Sequence, residues 1–169
     1  MNPHNNLIFL TSLPRSGSTW SSKVITSTLR AKPVHEPFNW KSYPERERFH
    51  MRYLSADNDD DMLLNILNQS MRSKMPILDI LRYSKYVVIK DVHICLAIEH
   101  VWAHLKPWIV ILMRHPCALA RSWQALDLEA TSRIQLLLSQ DALLDKFLSP
   151  FSRHMTSKDN YFFQMGAYW

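Results

Sequence analysis

Leu7-Ile8-Phe9-Leu10-Thr11-Ser12-Leu13-Pro14-Arg15-Ser16-Gly17-Ser18-Thr19-Trp20 decides the fold of this chain. It opens as a run of apolar and β-branched residues, the pattern of a strand buried on both faces, and stops at Pro14. Four small residues follow, and positions 20–29 are compatible with a helix. A strand, a tight loop and a helix N-terminus in succession aim several backbone N–H groups at one point, where an anion is favoured. Arg15 adds a rigid fork of donors suited to phosphate or sulfate. The chain has only 2 glycines, and one of them, Gly17, sits in this loop. That makes a chance turn an inadequate explanation.

The same punctuation recurs later. Trp108-Ile109-Val110-Ile111-Leu112-Met113 reads as an apolar strand, followed by Arg114-His115-Pro116 and a helix-compatible run over 117–126. Pro116 suits a first helical turn, where its missing N–H costs nothing. Ser122 lies six residues beyond Pro116, about 9 Å along a helix at 1.5 Å per residue. An arginine at the strand end and a serine on the next helix are therefore expected to converge on one group.

Further strands are expected at 7–13 and 86–91, with a short one near 33–38. Helical spacing of apolar residues marks 62–71, which Asp59 to Asp61 would start, and 94–105. Residues 136–148 are apolar nearly all round, which predicts a well-buried helix. Alternating strands and helices predict an α/β fold in which a parallel sheet is flanked by helices on both faces, within one domain over 1–169. The polar, poorly periodic stretch 41–61 reads as a loop or short-helix excursion.

A chain of 169 residues with 47% hydrophobic content can build a sizeable core. A formal charge of +5 fits an anionic ligand, and no Lys/Arg-rich block indicates nucleic acid. Cys95 and Cys117 have neither disulfide-framework nor metal spacing, which favours a reducing compartment. The strand signal beginning at Leu7 leaves no room for a signal peptide, and no apolar run approaches 18 residues. A cytoplasmic protein is the default expectation.

Pro14 to Trp20 fits P-[KR]-S-G-[ST]-[ST]-[WF] at every position, and Arg114-His115-Pro116 with Ser122 fits R-[DH]-P-x-x-x-x-x-S. In this order the two motifs resemble the sulfotransferases that use 3′-phosphoadenosine 5′-phosphosulfate (PAPS). The Walker A pattern G-x-x-x-x-G-K-[ST] is absent, which disfavours a nucleotide triphosphatase or a kinase-like transferase. The resemblance implies a P-loop-like sulfotransferase fold and PAPS as co-substrate, without a metal. It places the 5′-phosphosulfate at Arg15, Ser16, Gly17, Ser18, Thr19 and Trp20, and the 3′-phosphate at Arg114 and Ser122. The implied reaction moves a sulfuryl group to a hydroxyl or amine, with Arg15 stabilising the leaving phosphate. Arginine at that position resembles the carbohydrate- and protein-modifying branches.

For the base, Glu36 stands first, in Val34-His35-Glu36-Pro37-Phe38-Asn39 at the end of the expected second strand. Several of those branches have an E-P pair there whose Glu is thought to deprotonate the acceptor. A plain solvated carboxylate, or a partner for Arg15, is the bland alternative. Cytosolic members instead place K-x-H at the end of the strand that here reads Val88-Ile89-Lys90-Asp91-Val92-His93. Lys90 fits that pattern, with Asp91 or Glu99 as an alternative ion-pair partner, and His93 falls one residue late. His93, His100 and His104 share a helical stripe but lack a completing ligand, so a boundary face is the better reading. Trp102, Trp108 and Trp123 read as packing residues.

The acceptor (sugar, lipid, small metabolite or polypeptide) and the oligomeric state stay open. A non-catalytic PAPS- or nucleotide-binding module is the alternative from another class. In the family, an aromatic helix like 161–169 leads into a further strand and a segment that helps cover the nucleotide. A shortened family member, exposing an apolar patch near Phe162 and Trp169, is therefore expected.

Overall fold

The computed structural model describes residues 6–73, 85–128, 130–156 and 161–169. Four parallel strands form one sheet in the order β2-β3-β1-β4: β1 Leu7–Ser12, β2 Lys32–His35, β3 Val87–Lys90 and β4 Trp108–Leu112. Register is set by pairs such as Phe9 with Ile89, Phe9 with Ile109, and His35 with Lys90. The six residues of β1 are all buried, as the unbroken apolar pattern requires for a central strand.

Helices cover both faces of the sheet. Leu7, Phe9 and Ile89 pack against Leu63, Leu67 and Val101, which lie on α2 (Asp61–Arg72) and α3 (Ile98–Leu105). Ile8 and Val88 alternate to the other face and meet Ile25 and Leu29 of α1 (Ser18–Leu29). A further cluster, built on Trp123, Ile134, Met165 and Tyr168, joins α4 (Pro116–Gln124), α5 (Thr131–Leu138) and α6 (Tyr161–Tyr168).

α2 begins as its sequence indicates, with Asp60 accepting from Leu63 N at 3.2 Å. The 41–61 excursion carries one short 3₁₀ turn, Pro44–Phe49, whose Phe49 is buried.

Two expectations are corrected. The stretch 136–148 is not one buried helix. α5 ends at Leu138, and Gln140 turns away to accept from Tyr53 N at 2.7 Å and donate to Met51 O at 2.9 Å. Leu136 and Phe147 face solvent. Trp102 and Trp108 are exposed, Trp108 because β4 is a sheet edge, and only Trp123 of the three is core. In α6, Met165 and Tyr168 are buried, whereas Phe162 and, just past the helix, Trp169 are 50% and 46% exposed. That matches the expected aromatic surface. Among the described residues no helix is long and apolar enough to cross a membrane.

The strand ends are tied together by Asp91, which follows β3 and is fully buried. Its carboxylate accepts from Phe38 N at 2.8 Å, His93 N at 2.7 Å and Ile94 N at 3.3 Å. Its own amide donates to Leu10 O at 3.0 Å. One side chain thus fixes the loop after β2 to the loop after β3. Asp91→Ala strands three buried amides and should cost about 3–5 kcal/mol.

Burial pushes the Asp91 carboxyl up from 3.8 to about 6, against the pull of those amides. The folded state therefore holds the proton more tightly than the unfolded chain. The stability this contributes is complete below about pH 4 and is lost as pH rises through about 6, a swing on the order of 3 kcal/mol. Asp91→Asn has no such swing. Wild-type minus variant stability, from urea unfolding, should therefore fall by that amount between about pH 4 and 7. A pH-independent difference would contradict it.

Candidate anion-binding site

The loop between β1 and α1 is built from backbone conformations that few residues accept. Gly17, at φ 92, caps α1, offers no side-chain bond, and is followed by no acidic residue in the first turn. The leading N–H groups of α1 are thus left for an outside acceptor. Arg15 (φ 73) and Glu36 (φ 43) also lie in the left-handed region, at a cost on the order of 1–2 kcal/mol each. Their placement is enforced by Ser16 N donating to Leu13 O at 3.3 Å and Glu36 N donating to Lys90 O at 2.7 Å. Trp123 Nε1 donates to Pro14 O at 3.0 Å, anchoring the loop from the α4 side.

A cavity of about 560 Å³ opens over this loop, within the range of small-molecule sites. Its lining includes Arg15, Gly17, Ser18, Thr19 and Trp20 from the loop, Arg114 from the end of β4, and Glu36 and Lys90 from the ends of β2 and β3. Lys23, one turn beyond Thr19, adds a further cation. Four cationic side chains face a single carboxylate, so the cavity favours anions.

The sequence-derived site is therefore brought together with two exceptions. Ser16 and Ser122 do not line the cavity. Arg114 and Ser122 do not contact each other but both bind Arg15: Arg114 Nη1 donates to Arg15 O at 2.9 Å, and Arg15 Nε donates to Ser122 Oγ at 3.3 Å. The second motif thus holds the arginine of the first.

Glu36 pairs with Lys90, not with Arg15, and Lys90 takes neither Asp91 nor Glu99. Partial burial would raise the Glu36 carboxyl. The Lys90 ammonium outweighs it, with help from His35 and His93, and holds it below the usual carboxylate range. Asn39 Nδ2 donates to Glu36 Oε2 at 3.4 Å, and His93 Nε2 lies 3.9 Å from the same oxygen. Glu99 is engaged instead by Lys146 and Tyr53.

The histidine stripe is not assembled. His93 precedes α3 and turns toward Glu36, whereas His100 and His104 pair on the helix itself. His50 was missed in the sequence because it sits in the aperiodic excursion. Lys23 had a signal, its spacing of four from Thr19 on one helical face.

Comparison of the chain with protein-family models, with curated proteins and with solved structures gave no match.

A Cβ at Gly17 would meet nothing within 4 Å, so Gly17→Ala adds only the left-handed backbone penalty. Urea unfolding should show a loss of about 1–2 kcal/mol. A loss above about 4 kcal/mol, or none, would contradict this geometry.

Proposed function

We propose that the chain has the P-loop-like sulfotransferase fold and moves a sulfuryl group from PAPS to a hydroxyl or amine of a sugar, lipid, small metabolite or polypeptide. The observation that carries this reading is the cationic cavity at the uncapped start of α1, with Arg114 on one wall and Glu36 on the other. The donor set suits a doubly anionic nucleotide: amide dipoles, two guanidinium forks and two ammonium groups. Under this reading the 5′-phosphosulfate sits against Arg15, Lys23 and the N–H groups of α1, and the 3′-phosphate against Arg114, while Ser122 holds Arg15 in place.

Arg15 and Lys23 stabilise charge on the leaving phosphate, the step at which electrostatic preorganisation acts most strongly. Lys90 holds Glu36 ionised, so the carboxylate is ready to accept the acceptor's proton. The same pairing supports a second reading, a nucleotide-binding module without catalysis, because a carboxylate held low by an ammonium is a weak base.

Two substitutions separate the possibilities. Arg114→Ala should weaken adenosine 3′,5′-bisphosphate by on the order of 10- to 100-fold, and adenosine 5′-monophosphate by clearly less, since the bisphosphate loses a charge-assisted contact and both lose only the anchor on Arg15 O. Equal losses, by calorimetry, would remove the 3′-phosphate assignment. Glu36→Gln should keep PAPS affinity and lower turnover by roughly 10²- to 10⁴-fold. Unaltered turnover in that variant would exclude Glu36 as the base, and a wild type that binds PAPS without turnover would favour the module.

A further inference from the structure

Glu36 is only the first of three adjoining titratable groups that lead away from the cavity. His93 Nε2 lies 3.9 Å from Glu36 Oε2, one small side-chain rotation short of a hydrogen bond. On the far edge of the same ring, His93 Nδ1 lies 3.2 Å from His50 Nδ1. The backbone fixes this pairing: Met51 N, beside His50, donates to His93 O at 2.6 Å, and His93 N is held by Asp91. Neither histidine lines the first cavity. His50 instead lines a second cavity of about 580 Å³, with Arg48, Arg52, Tyr53 and Gln140. The row Glu36–His93–His50 therefore connects the two cavities.

We propose that His93 and His50 form a proton relay that carries the acceptor's proton from Glu36 to the second cavity. The inference rests on the sulfuryl-transfer reading. As the acceptor oxygen bonds to sulfur, its O–H bond breaks and the proton passes to Glu36 Oε2. The bridging S–O bond of the donor breaks, and its electron pair stays on the leaving phosphate. Glu36 returns to its ionised state by giving the proton to His93 Nε2. The proton on His93 Nδ1 then moves to His50 Nδ1, and His50 releases the one on Nε2 to water. One proton enters and one leaves; exchange of tautomers resets the pair.

The surroundings keep both rings neutral and able to accept. Burial lowers His50 to about 4, aided by His93 and Arg133. Burial also lowers His93; Glu36 opposes this, while Lys90, Arg133 and Lys41 reinforce it. These are positioning and relay residues, and Glu36 alone of the three borders the cavity where the donor would bind.

The test measures release of sulfate from ³⁵S-labelled PAPS, with water standing in for the acceptor, beside calorimetry with adenosine 3′,5′-bisphosphate. His50→Ala should lower turnover at pH 7 about 10- to 100-fold, keep nucleotide affinity within about twofold, and regain rate with added imidazole. His50→Gln, which keeps a hydrogen-bonding side chain but cannot relay a proton, should show the same loss without disturbing the fold. An unchanged rate in His50→Gln overturns the relay, as does a loss in His50→Ala that imidazole does not rescue. Wild-type protein that binds the nucleotide but releases no sulfate also overturns it. Failure to bind the nucleotide at all instead removes the sulfotransferase reading, and the relay with it.

Discussion

In a parallel sheet every strand delivers its carboxyl end to the same edge, and whatever follows each strand is gathered there. Here that edge collects Arg15 after β1, Glu36 after β2, Lys90 and Asp91 at the end of β3, and Arg114 after β4. The loops after β1 and β3 leave toward helices on opposite faces, α1 on one and α3 on the other. That divergence opens a crevice at the strand ends. Asp91 then sets how the crevice is lined, because its three amide bonds fix the chain on both sides of β3. The energetic cost of burying this carboxyl is met by those donors, and its elevated proton affinity is the residue of that cost.

The second organising theme is charge that is only partly compensated. Arg15, Lys23 and Arg114 are exposed in the cavity, with Arg15 and Arg114 tied to a serine hydroxyl and a backbone carbonyl rather than to acids. Lys90 alone is neutralised, by Glu36. An ion pair removed from water is a weak source of stability, so this one is better understood through what it does to Glu36, which it keeps ionised. His93 and His50 are biased the other way by burial and by Arg133, so neutral bases lie behind an anionic one.

Much of this was legible in the sequence, for reasons that differ by element. β1 was readable because a central strand needs a continuous apolar run, β4 because the edge strand beside it carries the same unbroken apolar pattern, and α2 because Asp60 caps an amphipathic stripe. Gly17 marked its loop because the positive φ there is one that glycine alone adopts without penalty. Register was not legible. That β2 pairs with β3 so that His35 lies opposite Lys90 brings Glu36 onto Lys90, and nothing local encodes it. The same holds for His50, and for Gln140, whose side chain closes onto Met51 and Tyr53 across the chain and so interrupts an apolar stretch that local pattern reads as one helix.

The proposed sulfuryl transfer requires that the crevice recognise a nucleotide by a 3′-phosphate as well as a 5′ one. Isothermal calorimetry on the wild-type chain, with adenosine 3′,5′-bisphosphate set beside ATP and adenosine 5′-monophosphate, tests it most directly. The bisphosphate should bind with one site and at least about tenfold more tightly than either competitor, the increment expected of one charge-assisted phosphate contact. Equal affinity for all three, or a preference for ATP, would contradict it.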